Sequence, residues 1–546
     1  MARSGSDDSI SRQNLRLINN KPLIYYIIKT SLQQKNSTVI VSTDSEEIKE
    51  VSKMYGAQVI SRPKKLTKNS TMIKEICLDT LNKLNSIGDY YEYCLVLHPK
   101  IPLIKLKTIS KFFNLVQKNS GTFFGISTIV DSKYAYNKIN KNNFLELKPM
   151  SSDIALLNKI VCFKVKNFIQ NNGKFIRPYY SFKIPKDELL SLSTYNDFGT
   201  FEQILLKRKI LVRIDSSKII GMGHVYNMLT ILNHFRNDEI LIVMQKNLNL
   251  GIKKFKDHLF DVTLFSSMEE FEKIIKKFQP DIIFNDILNT DKNYMRRIVS
   301  NYRLIVNFED MGQGRQFADL VFNPIFNIKK PISNEFFGGN YACVRDEFRL
   351  FTNSIIQKNV KKVVISFGGT DQKNLTGKTI DIIRKNNFKN IEFIVILGYG
   401  FSHTEKVKQK IIKLNKQDFQ FILVEKSDFL AQYVRDVDFA IVSNGRTVFE
   451  FASMKIPLVS VSVNTRESLH SFIKDEKIGI NFSYNHSTYE QNLNSAIKQL
   501  MVFSERKFFK HKLEKLKLLD GVDRVVSIIN NKFNEKSLKT NHFGIK

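Results

Sequence analysis

At 546 residues the chain is too long for one hydrophobic core, and at about 150 residues per domain it predicts three or four folded units. Its 42% hydrophobic and 25% charged content is that of globular protein, and no uncharged apolar run reaches the ~18 residues a membrane span needs. The net charge of +31 raises nucleic-acid binding, but the lysines are spread along the whole chain with no basic arm and no nucleic-acid motif, so that class is set aside. The opening residues lack the apolar core of a signal peptide, which points to a cytoplasmic protein. Cys77, Cys94, Cys162 and Cys343 lie far apart, with no Cys-x-x-Cys pair or His/Cys cluster; they predict reduced thiols and no zinc.

Residues 1–207 alternate short apolar runs with amphipathic stretches. Val39–Ser42, Ala57–Ile60, Tyr93–Leu97 and Thr122–Ile129 predict strands, and Pro22–Leu32, Ser45–Tyr55, Ser70–Leu84 and Leu106–Lys118 predict helices between them. Such alternation predicts an α/β domain with a mostly parallel sheet, whose ligands gather at the carboxyl ends of the strands.

Ala2-Arg3-Ser4-Gly5-Ser6, Asn14-Leu15, Lys21-Pro22-Leu23, Val41-Ser42-Thr43-Asp44 and Arg62-Pro63 follow the order and spacing of one family. Over roughly two hundred residues this part resembles the acylneuraminate cytidylyltransferases. The resemblance implies a Rossmann-like nucleotidyltransferase that uses CTP and magnesium to make a CMP-sugar, with Arg3, Gly5, Ser6, Asn14 and Asp44 as nucleotide-binding positions. The chain departs from the pattern where the chemistry sits. The family's Gly-Ser-Lys-Gly loop is Gly5-Ser6-Asp7-Asp8 here, so an acid replaces the cation that would face triphosphate. The next basic position of the motif is Gln13, and the family's Asp-x-Asp metal site falls on Ser191-Leu192-Ser193, where a hydroxyl is a poor substitute for a carboxylate. The strand that normally precedes the Ala-Arg motif is absent, either through a displaced start site or because the domain does without it. The expectation is a domain with weak or no transferase activity, needing magnesium only if it is active.

A second alternating pattern begins at Lys209. Lys209–Ile214, Glu239–Met244, Phe260–Phe265, Pro280–Phe284, Arg303–Phe308 and Ala318–Phe322 predict one set of strands, with helices at Val225–Phe235 and Met268–Phe278. After a polar stretch at 352–359, Lys362–Phe367, Ile391–Leu397, Phe419–Val424, Val437–Val442 and Pro457–Val463 predict a second set. Two consecutive doubly wound halves predict the two-lobed glycosyltransferase-B arrangement, with lobes at 208–355 and 356–525 and a cleft between them. Residues 526–546 read as a fraying basic tail.

The stretch from Arg213 to Asn227 reads as strand, glycine-hinged loop and helix, with His224 at the helix opening. Gly221 and Gly223 permit close backbone approach to a ligand, and an imidazole there can move a proton near neutral pH. Taken alone, such a histidine can equally just hydrogen-bond its own loop. Gly368-Gly369-Thr370 and Ser443-Asn444-Gly445-Arg446-Thr447 are two further strand-to-helix turns able to meet phosphate oxygens, and Glu450 lies one turn into the second helix. Asp371 reads as a ligand contact or a helix cap, and Asp286 and Asp310 as functional acids or strand ends.

Arg213-x-Asp215, Gly221-x-Gly223-His224, Asn285-Asp286, Gly368-Gly369-Thr370-Asp371, the Ser443 turn and Asn464 together give this half its second resemblance, across roughly 209–525. It is similar to the UDP-sugar hydrolases of the pseudaminic acid pathway. The resemblance implies His224 as the catalytic residue, with Asp215 beside it, and no metal. The UDP-sugar would be held by Gly221, Gly223, Asn227, Asp286, Gly368, Gly369, Thr370, Ser443, Asn444, Gly445, Thr447, Glu450 and Asn464. The chain departs from the family at Asn227, usually Arg, and at Thr465, usually Gln.

The expected reaction is hydrolysis of a UDP-amino-sugar to free sugar and UDP, with His224 as general base toward water or general acid toward the leaving phosphate. Three alternatives stay open: an active bifunctional cytidylyltransferase and hydrolase, a glycosyltransferase, and a non-catalytic nucleotide-sugar-binding scaffold. The partners expected are a UDP-sugar and CTP or a CMP-sugar, without nucleic acid; a homo-oligomer is left open.

Overall fold

The computed structural model describes residues 10, 12–68, 71–119, 121–126, 136–139, 145–147, 160–217, 220–300, 303–325, 332–351, 356–425, 427 and 429–543. The chain divides into two compact units, Met1–Leu206 and Lys207–Lys546.

In the first unit, α1 (Leu23–Leu32) leads to β1 (Ile40–Thr43), α2 (Glu46–Met54), β2 (Gln58–Ser61), α3 (Ile73–Ser86), β3 (Tyr93–Leu97) and α4 (Leu106–Lys118). Each helix starts and stops where local chemistry dictates. Ser45 caps α2 by accepting from the Ile48 amide, and Glu46 and Glu47 occupy its first turn. In α4, Ile109, Phe112 and Val116 recur at helical spacing and are buried. Then follow β4 (Thr122–Ile126), β5 (Tyr136–Ile139), β6 (Leu145–Leu147), β7 (Ile160–Lys164) and β8 (Tyr179–Lys183). Residues 127–129 of the predicted fourth strand lie outside the described residues.

The sheet is not mostly parallel. Six strands form a mixed sheet in the order β3-β7-β4-β8-β6-β5, where only β4 and β8 pair in parallel. β1 and β2 form a separate parallel pair. β7 and β8 were not among the predicted strands, and β7, with Ile160, Val161, Cys162 and Phe163 all buried, runs antiparallel to both β3 and β4.

The second unit carries two wholly parallel sheets. The first contains β9 (Lys209–Ile214), β10 (Glu239–Gln245), β11 (Asp261–Phe265), β12 (Ile282–Asp286), β13 (Leu304–Phe308), β14 (Leu320–Asn323) and β15 (Glu335–Phe337), in the order β11-β10-β9-β12-β13-β14-β15. The second contains β16 (Lys362–Ser366), β17 (Glu392–Leu397), β18 (Gln420–Glu425), β19 (Phe439–Ser443), β20 (Leu458–Ser462) and β21 (Gly479–Ser483), in the order β18-β17-β16-β19-β20-β21. These are the two consecutive doubly wound halves that the strand pattern predicts. The edge strands β15 and β21 escaped the sequence reading because they are short and only partly apolar.

In each sheet the strand order reverses once, between β9 and β12 and between β16 and β19. There the connections leave neighbouring strands in opposite directions and open a crevice at the carboxyl ends. Every turn singled out above for the second unit follows one of these four strands or lies beside them.

The predicted fraying tail is instead a helix. α5 (Phe503–Glu514) packs with the second lobe through Leu513, and α6 (Gly521–Phe543) returns to the first lobe, burying Val522, Val525 and Ile529 in its core. The Lys/Asn-rich composition hid an apolar stripe at positions 522, 525 and 529, which is enough to anchor one helical face. Lys536 pairs with Asp319 at 2.8 Å on the same lobe. Among the described residues no helix is long and apolar enough to cross a membrane.

Candidate active site

β9 ends at Ile214, which stands beside Asp286, the last residue of β12. The chain leaves β9 through Gly221, held at φ +85° where a side chain would be strained, and enters helix α7 (Gly223–Leu232). This places His224 over the end of β12. Its Nδ1 hydrogen-bonds the Asp286 carboxylate, whose second oxygen accepts from Asn227 Nδ2 at 3.0 Å. Asp286 is fully buried and His224 keeps 7% of its side chain exposed. Among the described residues His224 Nε2 makes no hydrogen bond. Burial pushes the Asp286 carboxyl up, but the charges of His224 and Arg446 and the hydrogen bonds from His224 and Asn227 outweigh it and hold it below the usual carboxylate range.

The second lobe faces this helix start. β16 runs into Gly368, at φ +74°, and Gly369, while β19 runs through Asn444 and Gly445 into helix α8 (Thr447–Ser453). A Cβ on Gly369 would lie 3.5 Å from the Met222 amide nitrogen, and one on Gly223 3.5 Å from Arg446 Cδ. At both points a methyl would stand in ordinary van der Waals contact, so the two lobes approach closely at these glycines. Within the second lobe, Gly398 makes room for the Gly368 turn: a Cβ there would come within 2.4 Å of the Gly368 carbonyl oxygen. The cleft so formed encloses about 870 Å³, open in part to solvent. Its lining includes Gly223, Asn227, Gly368, Gly369, Thr447 and Glu450. His224 stands behind that lining, turned toward Asp286.

Charged side chains join the lobes. Arg446 lies 2.7 Å from Glu309 of the first lobe, and Arg466 donates to the Glu309 carbonyl at 2.8 Å. Arg345 donates to Glu450 at 2.6 Å and pairs with Glu347 at 2.9 Å, its guanidinium 4.9 Å from the Tyr226 ring centre. Arg345, Arg446, Tyr226 and Glu309 were not among the predicted site residues. Arg446 sits in the Ser443 turn, but spacing alone does not say which side chains reach across a cleft.

Several predicted residues do other work. Asp215 is bound by Arg213, with Nη2 at 3.0 Å from its carboxylate, so the acid partnering His224 is Asp286. Asn444 is buried, and its amide nitrogen is spent on Ser462 Oγ and the carbonyls of Glu467 and His470. Asn464 caps the short helix Thr465–Ser468 by accepting from the Glu467 amide. Asp371 is a helix cap, accepting from the amides of Leu375 and Thr376. Asp310 is consumed by Thr290, Asn307 and Gly312. Ser443 ends β19 with its Oγ packed toward Gly368, Thr370 lays its methyl against Gly400, and Gly445 lies beside Glu467. Asp371, Asp310 and Asn464 thus accept backbone amides, and Asn444 donates to backbone carbonyls.

In the first unit Asn14 lies in the turn Gln13–Leu15 and Asp44 follows β1; Arg3, Gly5 and Ser6 lie outside the described residues. The family's magnesium position does not fit a metal here. Ser191 and Ser193 bring hydroxyls, and the nearby carboxylate of Asp197 accepts the amides of Ser193 at 2.7 Å and Thr194 at 2.6 Å. An oxygen so occupied caps a helix and has little left for a hard cation.

Residues 1–148 match the family model described as cytidylyltransferase. An uncharacterized protein of Methanocaldococcus jannaschii is 28% identical over 285 residues, which is 49% of this chain; the chain spans 58% of that protein's length. The CMP-N,N'-diacetyllegionaminic acid synthase of Legionella pneumophila is 26% identical over 39% of this chain and 97% of its own. A Helicobacter pylori protein named as a pseudaminic acid cytidylyltransferase and UDP-2,4-diacetamido-2,4,6-trideoxy-beta-L-altropyranose hydrolase is 20% identical over 86% of this chain and 89% of its own. The chain thus resembles the nonulosonic acid cytidylyltransferases in its first part and, along most of its length, a protein named for both a cytidylyltransferase and a UDP-sugar hydrolase.

Proposed function

We propose that the chain is a nucleotide-sugar enzyme of nonulosonic acid biosynthesis, working in the cytoplasm, whose second unit hydrolyses a UDP-amino-sugar to free sugar and UDP. The observation that carries this is the His224–Asp286 pair at the strand reversal of one lobe, on a helix whose start at Met222–Gly223 lies against the glycine turn and Arg446 of the other. With Nδ1–H donated to Asp286, the lone pair of His224 Nε2 is available, which makes His224 the general base. In that role a water oxygen bonds to the anomeric carbon, its proton passes to Nε2, and the carbon–oxygen bond to the phosphate breaks with its electron pair leaving on UDP. Asp286 positions the ring and stabilises the imidazolium. Backbone N–H groups of the Gly368-Gly369 turn and Thr447 would meet the diphosphate, and Glu450, steadied by Arg345, the ribose. No cofactor is assigned to this unit.

The first unit is proposed as a cytidylyltransferase-like domain with little transferase activity, because Ser191 and Ser193 stand where the metal ligands belong. It would need magnesium only if it transfers. Incubation with UDP- and CMP-sugars in H2(18)O, read by mass spectrometry, tests both units. Hydrolysis at the anomeric centre places the label in the free sugar. Label in the nucleotide, formation of a new glycoside, or UDP binding without turnover would each refute the hydrolase reading. Pyrophosphate release from CTP and a nonulosonic acid at ordinary enzymatic rates would refute the reading of the first unit.

A further inference from the structure

Among the described residues, three charged side chains line the cleft between the lobes: Arg345, Arg446 and Glu450. Two of them are committed to each other. Arg345 donates to Glu450 at 2.6 Å and pairs with Glu347 at 2.9 Å, so its guanidinium serves two carboxylates. Arg446 is placed differently. Its Nη2 lies 2.7 Å from Glu309 Oε1, yet that oxygen accepts no hydrogen bond, and among the described residues Arg446 donates none. The contact is one of charge. It leaves the N–H groups of a planar, permanently charged fork unspent on the wall of a cavity, where an anion with several acceptor oxygens would satisfy them.

Both lobes fix the position of that guanidinium. Arg446 belongs to the second lobe, in the turn between β19 and α8, and its Cδ lies 3.5 Å from where a Cβ of Gly223 would stand, one residue before His224. Its charge reaches Asp286 and helps hold that carboxyl below the usual range. On the first lobe, Glu309 follows β13 at φ +52°, a left-handed conformation that a residue with a side chain adopts only at a cost. Its amide donates to the Phe322 carbonyl at 2.8 Å, and its carbonyl accepts from Arg466 Nη2 of the second lobe at 2.8 Å. The backbone is thus held from both sides, and the buried carboxylate is aimed at Arg446.

We propose that Arg446 is a cross-lobe clamp on the β-phosphate of the bound nucleotide, with Glu309 as its positioning residue, and that it makes the second unit selective for nucleoside diphosphates over monophosphates. Of the two phosphates of a UDP-sugar, the β-phosphate carries the sugar and lies toward the catalytic histidine, which is the end of the cleft where Arg446 stands beside Gly223. The bond broken in the proposed hydrolysis leaves its electron pair on a β-phosphate oxygen, so a guanidinium there meets the charge as it forms. The clamp presupposes that the second unit holds UDP, as the hydrolase reading requires.

The test is calorimetric titration of the 546-residue chain and its variants with UDP and with UMP, in EDTA so that no magnesium accompanies the phosphates. Arg446→Met should weaken UDP binding at least tenfold more than UMP binding, the worth of a lost charge-assisted hydrogen bond. UMP, which lacks the β-phosphate, reports in each variant that the cleft is still folded. Glu309→Gln should weaken UDP at least threefold in the parent and less than twofold once Arg446 is Met, because a residue that acts only through Arg446 then has nothing to aim. A UDP-to-UMP difference below tenfold overturns the clamp, and additive losses in the double variant overturn the part given to Glu309. Should the methionine variant lose its thermal transition, Arg446→Gln, polar and uncharged, is read against the same ratio. A parent chain that binds no UDP overturns the UDP-sugar reading and the clamp together, whereas a parent that binds UDP as tightly as its Arg446 variants overturns the clamp alone.

Discussion

Replacing Asp286 by Asn tests the pairing on which the chemistry rests. The carboxylate accepts from two donors, His224 Nδ1 and Asn227 Nδ2. An amide of the same shape has one acceptor oxygen, so one donor must face an NH2 group in a site with no access to water. Leaving a buried donor unpaired costs about 1–3 kcal/mol, and losing the negative charge beside the imidazolium removes a charge-assisted hydrogen bond worth about 1.5–3 kcal/mol. Together these correspond to a fall in kcat of roughly 10²–10⁴, the usual worth of general base catalysis. The assay is UDP release against pH, with the thermal midpoint recorded for each variant. KM should stay within a few-fold, since Asp286 touches the ring and not the sugar. A kcat within threefold of the parent would refute the assignment.

Four other outcomes follow from the same structure. His224→Ala should lower turnover by ~10²–10⁴ while the thermal midpoint changes little, read by UDP release and calorimetry. Burial raises the Glu467 carboxyl to about 7, well above the 4.5 of the unfolded chain. The folded state then binds that proton more tightly, so stability is greatest below about pH 4.5 and declines as pH rises to about 7, by on the order of 3 kcal/mol; Glu467→Gln should flatten thermal midpoints between those values. Gly398→Ala drives a methyl into the Gly368 carbonyl and should weaken UDP binding at least tenfold by calorimetry with the far-ultraviolet dichroism unchanged. Ile529→Ala opens a hole in the first lobe's core and should cost about 2–5 kcal/mol in denaturant unfolding; a fraying tail would show no loss.

The sequence by itself determined the second unit almost element by element. Parallel strands buried on both faces are continuous apolar runs, and runs such as Val363-Val364-Ile365 or Phe439–Val442 admit no other reading beside their glycine turns. It also carried the turns that line the cleft, since Gly221, Gly368 and the Ser443 stretch mark where a strand stops and a backbone must bend. Tertiary structure alone decided partnership. Asp215 and Asp286 look alike in the sequence, each ending an apolar strand, yet Arg213 reaches the first across two residues and the switch between β9 and β12 brings His224 to the second. Asn444 and Asn464 look like ligand contacts until nearby amides and carbonyls claim them. The antiparallel pairing of β7 is likewise invisible in a linear pattern. Burial is a property of a residue type and its spacing, whereas strand order and hydrogen-bond partners depend on which distant segments arrive beside one another.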